Sequence, residues 1–261
     1  MIDENRFDEA TQDLHNKIRE DNKEAAIAII TNRDTPQTVL TAKDVMGYNA
    51  LMLAIEKRHT EIANAILARV DLPVSVITNK NKFGMNALMY AIDSRNTEVA
   101  NAILARANLP DAVLTDKDAY GRNALMLAMI KNKTEIAKEI LARPNLPDAV
   151  LTDKDEYGRN ALMYAIYQNK YDVVHLLVNQ FANRNLLTIY DKVTLSFRGY
   201  FRLAFTLSKP ALDNTQKASP SAMGVSQAEH HPPVNVNMDN DSTLVSEPDP
   251  DSNSNDRDAT P

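Results

Sequence analysis

The chain has 261 residues, a formal net charge of −6 and no cysteine, which excludes disulfides and thiolate metal sites and suits a reducing compartment. Residues 208–261 hold three basic groups against nine acidic ones, leaving 26 of each sign in residues 1–207, so a balanced body with an acidic tail offers no electrostatic footprint for nucleic acid. There is no run of 18 apolar residues and no basic-then-apolar leader, so a soluble, cytoplasmic chain is expected.

One phrase recurs four times: Gly47–Ala54, Gly84–Ala91, Gly121–Ala128 and Gly158–Ala165 all carry Asn-Ala-Leu-Met two residues after the glycine. A fixed period of this size signals stacked supersecondary units, each covering its neighbour's apolar face. In chain order, residues 1–40 are a degenerate copy. Leu14 to Ile18 align with Leu51 to Ile55, Glu24 with Glu61 and Pro36 with Pro73, while the glycine and the Asn-Ala-Leu start are replaced by polar residues. A wetter first copy closes the end of an array, so 1–40 is read as an N-terminal capping repeat, followed by repeats at 41–78, 79–115, 116–152 and 153–180.

Within a repeat, the glycine supplies a positive φ at a turn tip. Asn123 then caps a first helix, with Leu125, Ala128 and Met129 as its apolar stripe. After the polar break at Lys131–Lys133, Thr134 and Glu135 open a second helix, threonine as cap and glutamate at the positive end of the dipole. Ile136, Ala137, Ile140 and Leu141 give that helix its own buried face. The column Pro36, Pro73, Pro110 and Pro147 begins a one-turn helix or tight bend. Beyond residue 180 the register fades, and residues 181–207 are expected to form a C-terminal cap or an amphipathic helix. From Ser208 the chain is rich in Pro, Asn, Ser and Asp and poor in large apolar residues. Such a segment cannot offset its ordering entropy and is expected to be disordered.

The pattern Asp-x-x-Gly-x-Asn-Ala-Leu-Met-x-Ala, followed by Thr-Glu-Ile-Ala-x-x-Ile-Leu, resembles the ankyrin repeat over roughly residues 7–180. Tetratricopeptide and Sel1-like arrays fit less well, because neither explains the Asp-x-x-Gly turn before the first helix. The resemblance implies an all-α, helix-turn-helix repeat solenoid with short hairpin connections. The chain departs from the family in period, which is 37 residues against about 33, with the extra residues between Leu141 and Gly158. Asn and Ala replace the family's threonine and proline, and Met52, Met89, Met126 and Met163 replace its histidine, exchanging a polar network for adaptable packing.

No catalytic constellation emerges, and neither an enzyme, a cofactor nor a metal site is expected. Asp116/Asp118 and Asp153/Asp155 recur with the repeat around a shared lysine, as turn residues do. The resemblance implies instead that turn tips and the exposed side of the first helices bind partner proteins. Aromatic and arginine positions that vary within the otherwise strict repeat are the candidates: Phe83, Tyr90, Tyr120, Arg122, Tyr157, Arg159, Tyr164 and Tyr167. The competing reading is that these rings only pack between hairpins. The chain is thus expected to be a monomeric, non-enzymatic scaffold, adaptor or stoichiometric inhibitor. Ankyrin-like chains with a polar, acidic C-terminus also occur as effectors delivered by intracellular bacteria, which would make the tail a translocation signal. The alternative is a display scaffold anchored at a membrane surface through residues 186–207.

Overall fold

The computed structural model describes residues 4–186 and 188, all within one compact unit spanning Met1–Leu212. The expectations for the tail, and for nearly all of 181–207, lie outside the described residues. Among those described there are fourteen helices and no strand. First helices are α1 (Glu4–Arg19), α4 (Ala50–Glu56), α7 (Ala87–Asp93), α10 (Ala124–Ile130) and α13 (Ala161–Tyr167). Second helices are α2 (Lys23–Thr31), α5 (Thr60–Leu67), α8 (Thr97–Leu104), α11 (Thr134–Leu141) and α14 (Tyr171–Asn183). One-turn helices α3 (Gln37–Thr41), α6 (Ser75–Thr78), α9 (Asp111–Thr115) and α12 (Asp148–Thr152) follow the proline column.

These helices stack as three rows. Each first helix packs on the first helices before and after it, each second helix likewise, and each short helix lies against the first-helix row. The extra residues of the 37-residue period are therefore folded into a third row. Its consequence is that the first helices are enclosed: all six residues Ala124–Met129 are buried, where a one-sided stripe was expected. The methionine column is buried too, Met52, Met89 and Met126 completely.

The local expectations about turns hold. Gly47, Gly84, Gly121 and Gly158 have φ between 75° and 79°. Asn49, Asn86, Asn123 and Asn160 accept from the Met52, Met89, Met126 and Met163 amides at 3.0–3.1 Å. Threonine is not the second cap, however. Thr134 is the first helical residue, after Lys133, while Asn22 and Asn96 cap α2 and α8 by side chain. The break before it explains why. Asp21, Arg58, Arg95, Asn132 and Asn169 hold left-handed φ of 54–60° in successive copies, which turns the chain sharply and places the cap directly after them.

Two columns of polar side chains recur along the array, the first closing each repeat and the second binding copy to copy. The Nδ2 groups of Asn49, Asn86 and Asn123 donate to the carbonyls of Val76, Val113 and Val150 at 2.8–3.0 Å, tying the start of each first helix to the short helix that closes the same repeat. Behind them, Arg69, Arg106 and Arg143 donate to the carbonyls of Ile30, Leu67 and Leu104 at 2.6–2.8 Å, and Gln180 takes the same place on Leu141. Each cation therefore satisfies a carbonyl at the C-terminus of the preceding second helix, the negative end of its dipole.

His15 of the capping repeat stands one period before Met52 and is buried beside its own repeat's core. Its Nε2 has no hydrogen-bond partner. Burial, helped by the Arg19 charge and opposed by Asp44, lowers its pKa to about 4. Below pH 6.5 the unfolded chain binds a proton here that the folded chain refuses until about pH 4. The contribution is therefore complete above 6.5 and is lost as pH falls through that window. Allowing for screening, the loss is on the order of 1 kcal/mol. His15→Met, which extends the methionine column, is expected to remove this dependence. Urea midpoints of both proteins at pH 4.5 and 7.5 should then differ by less in the variant.

Candidate protein-binding face

The hairpin tips are built by one side chain per repeat. The Oδ1 of Asp118 accepts from the Tyr120 and Arg122 amides at 2.9 and 2.8 Å, and that of Asp155 from Tyr157 and Arg159 at 3.0 and 2.8 Å. Asp44 and Asn81 do the same in the earlier tips. These self-bonded turns push the residue before each glycine outward: Phe83 is 46% exposed, Tyr120 52% and Tyr157 70%.

Successive tips are stitched together. The amides of Lys82, Ala119 and Glu156 donate to the carbonyls of Met46, Phe83 and Tyr120 at 2.9–3.0 Å. Lys80 pairs with Asp116 and Lys117 with Asp153, each at 2.9 Å. All four carboxylates of the two aspartate pairs are thus engaged in turn and inter-repeat contacts. Among the described residues no three His, Asp or Glu side chains gather as metal ligands.

The candidate residues fall into three groups. Tyr120 with Arg122, and Tyr157 with Arg159, form ring–guanidinium pairs at 4.6 Å, the rings exposed and the arginine side chains partly buried at 18% and 38% exposure, the geometry of a cation–π contact. Tyr164 joins the second pair, since Arg159 also lies 4.8 Å from its ring. Yet Tyr164 is itself buried, and its hydroxyl donates to Asp155 at 2.5 Å. Burial opposes ionisation of Asp155, but the Tyr164 hydroxyl and Arg159 outweigh it and hold that carboxyl below its usual range. Burial and the Asp155 charge push the Tyr164 phenol upward in turn.

Tyr90, half-buried, stacks on Tyr48 of the preceding repeat at 5.0 Å between centroids. Leu53 and Leu127, at the same register as Tyr90 and Tyr164, are buried. The position inside the first helix is therefore packed against hairpin residues, Tyr48 for Tyr90 and Asp155 and Arg159 for Tyr164, rather than presented as an open face. Tyr167, at the end of α13, is 51% exposed. The reading of Asp118 and Asp155 as turn residues holds, since each bonds the amides of its own tip. Sequence reasoning missed Tyr48, one residue after its glycine, on which Tyr90 stacks.

A family model described as ankyrin repeats matches residues 14–113 and 109–187. Among solved structures, the ankyrin repeat protein EF0377 is 22% identical, with a TM-score of 0.57, covering 75% of this chain and 96% of its own. An ankyrin repeat domain from Acinetobacter baumannii is 23% identical, with a TM-score of 0.55, covering 74% and 94%. At such identities the two structures speak for the fold alone. No curated protein matches the sequence.

Proposed function

The chain belongs to the ankyrin repeat family, and from that premise we propose that it is a non-enzymatic protein-binding module that holds a partner along its hairpin tips. It acts as a scaffold, adaptor or stoichiometric inhibitor. The observation that carries this reading is the pair of exposed tyrosines, Tyr120 and Tyr157, each braced by an arginine of its own repeat. Rings held rigid and open to solvent lose little conformational freedom when covered, which is what a hot-spot anchor requires. Phe83 extends the row by one tip. Tyr90 and Tyr164 support the face from beneath.

The test is affinity capture from lysate with the full chain, beside the Tyr120→Ala/Tyr157→Ala variant checked by circular dichroism for equal helicity. Loss of at least ten-fold of a captured protein from the variant is expected. Equal retention by both would remove the tips as the binding face.

A further inference from the structure

Arg122 and Arg159 are held far more firmly than surface arginines need to be. Each lies over the ring of its own tip tyrosine at 4.6 Å. The Nε of Arg122 is bonded to Asp118 at 2.7 Å, and that of Arg159 to Asp155 at 2.9 Å, both carboxylates being fully or almost fully buried. Asp118 takes only the Nε of Arg122, so both Nη groups of that guanidinium keep their donors. Asp155 takes Nε and Nη2 of Arg159, leaving its Nη1. The forks are therefore oriented before any partner arrives, and their unused donors are the part not spent on the fold.

The neighbouring charges favour one kind of ligand. Asp118 and Asp155 are already balanced by the arginines themselves. Glu156, the exposed carboxylate beside them, is engaged with the Tyr157 hydroxyl, whose pKa it raises. Lys82 lies on the exposed tip one repeat earlier. What the row offers a newcomer is N–H donors and aromatic faces, and a planar carboxylate answers a guanidinium with parallel, charge-assisted bonds. Nucleic acid fits less well, since the 26 cations and 26 anions of residues 1–207 supply no long-range field for a phosphate backbone.

We propose that Arg122 and Arg159 form a two-pronged acceptor site for acidic side chains, taking two aspartate or glutamate residues of one extended partner segment that runs from tip to tip, with Tyr120 and Tyr157 flanking them. This rests on the protein-binding reading above and names the partner's chemistry. The two prongs sit on adjacent hairpins joined by the Glu156–Tyr120 backbone bond, so one segment meets both without spanning a gap.

The experiment is selection of a random peptide display library on the full chain, with a parallel selection on Tyr120→Ala/Tyr157→Ala. Enriched peptides are then synthesised and measured by fluorescence anisotropy, with single-stranded oligonucleotides as a second probe. The expected result is enrichment of peptides with two acidic residues at a fixed spacing. Their affinity should fall at least ten-fold when both acids are made Gln, and at least ten-fold on Arg122→Lys/Arg159→Lys, which keeps the charge but loses the planar fork. Because the buried aspartates depend on these arginines, the peptide-side Gln changes carry the test even where the arginine variants are destabilised. Peptides that need the two tyrosines but show no acidic preference would overturn this proposal and leave the protein-binding face standing. Peptides indifferent to the tyrosines would overturn both. Oligonucleotides binding more tightly than the acidic peptides would also overturn it.

Discussion

Gly84→Ala is expected to destabilise the array by about 2–4 kcal/mol, whereas Gly158→Ala costs only about 1 kcal/mol. Both glycines have φ of +75°, so an added Cβ meets the same backbone strain at either site. The difference lies in what stands next to them. A Cβ at Gly84 would fall 2.9 Å from the Ala119 amide nitrogen and 3.0 Å from the Asp118 carbonyl carbon, which are backbone atoms of the following hairpin and cannot swing aside. At Gly158 no described atom lies within 4 Å. Forcing the inner hairpins apart would also stretch the Ala119–Phe83 backbone bond that joins them. Urea denaturation of the two variants beside the parent separates the contributions, because only Gly84 carries the inter-repeat clash. Equal midpoint shifts would mean that tip stacking contributes little.

Asn123→Ala is expected to cost about 2–4 kcal/mol, an unusual amount for a polar residue at a helix end. Its side chain does two jobs with two different atoms. The Oδ1 caps α10 by accepting from Met126 at 3.0 Å, and the Nδ2 donates to Val150 at 3.0 Å in the short helix α12 of the same repeat. The residue is fully buried, so neither the amide nor the carbonyl has water to fall back on when the side chain is removed. Asn123→Asp separates the two roles. It keeps an acceptor for Met126 but sets a carboxylate oxygen against the Val150 carbonyl, and is expected to be at least as destabilising as alanine at pH 7. Were aspartate as stable as asparagine in urea unfolding, the bond to Val150 would have no energetic weight. The double role also accounts for Asn where the family resemblance has threonine: an amide offers a separate donor and acceptor, each able to point its own way.

The candidate site was half legible in the sequence. Phe83, Tyr120 and Tyr157 could be placed on exposed tips because a glycine with positive φ makes the preceding residue part of a turn, whatever surrounds it. Tyr90 and Tyr164 could not be placed in this way. Both sit at a helical register that reads as outward-facing, and side chains of the hairpins cover it here. The structure binds Tyr164 to Asp155 and stacks Tyr90 on Tyr48, contacts between residues whose partnership no local pattern announces. The arginine column 69, 106 and 143 was likewise visible as a repeated letter but not as a set of caps on the preceding helices.

What the sequence determined alone was whatever depends on a few consecutive residues or on strict recurrence: the 37-residue unit, the turn glycines, the asparagine caps and a turn of chain after each proline, left open between a one-turn helix and a tight bend. These follow from backbone sterics and from hydrogen bonds that close within a turn of chain. Tertiary structure alone decided where the additional residues of the period would lie. By packing them as a row against the first helices it enclosed those helices, while contacts with the hairpins decided which tyrosines are spent inside. Those outcomes depend on contacts 9 or more residues apart, and a residue's own neighbours in sequence carry no information about what a distant stretch will lay against it.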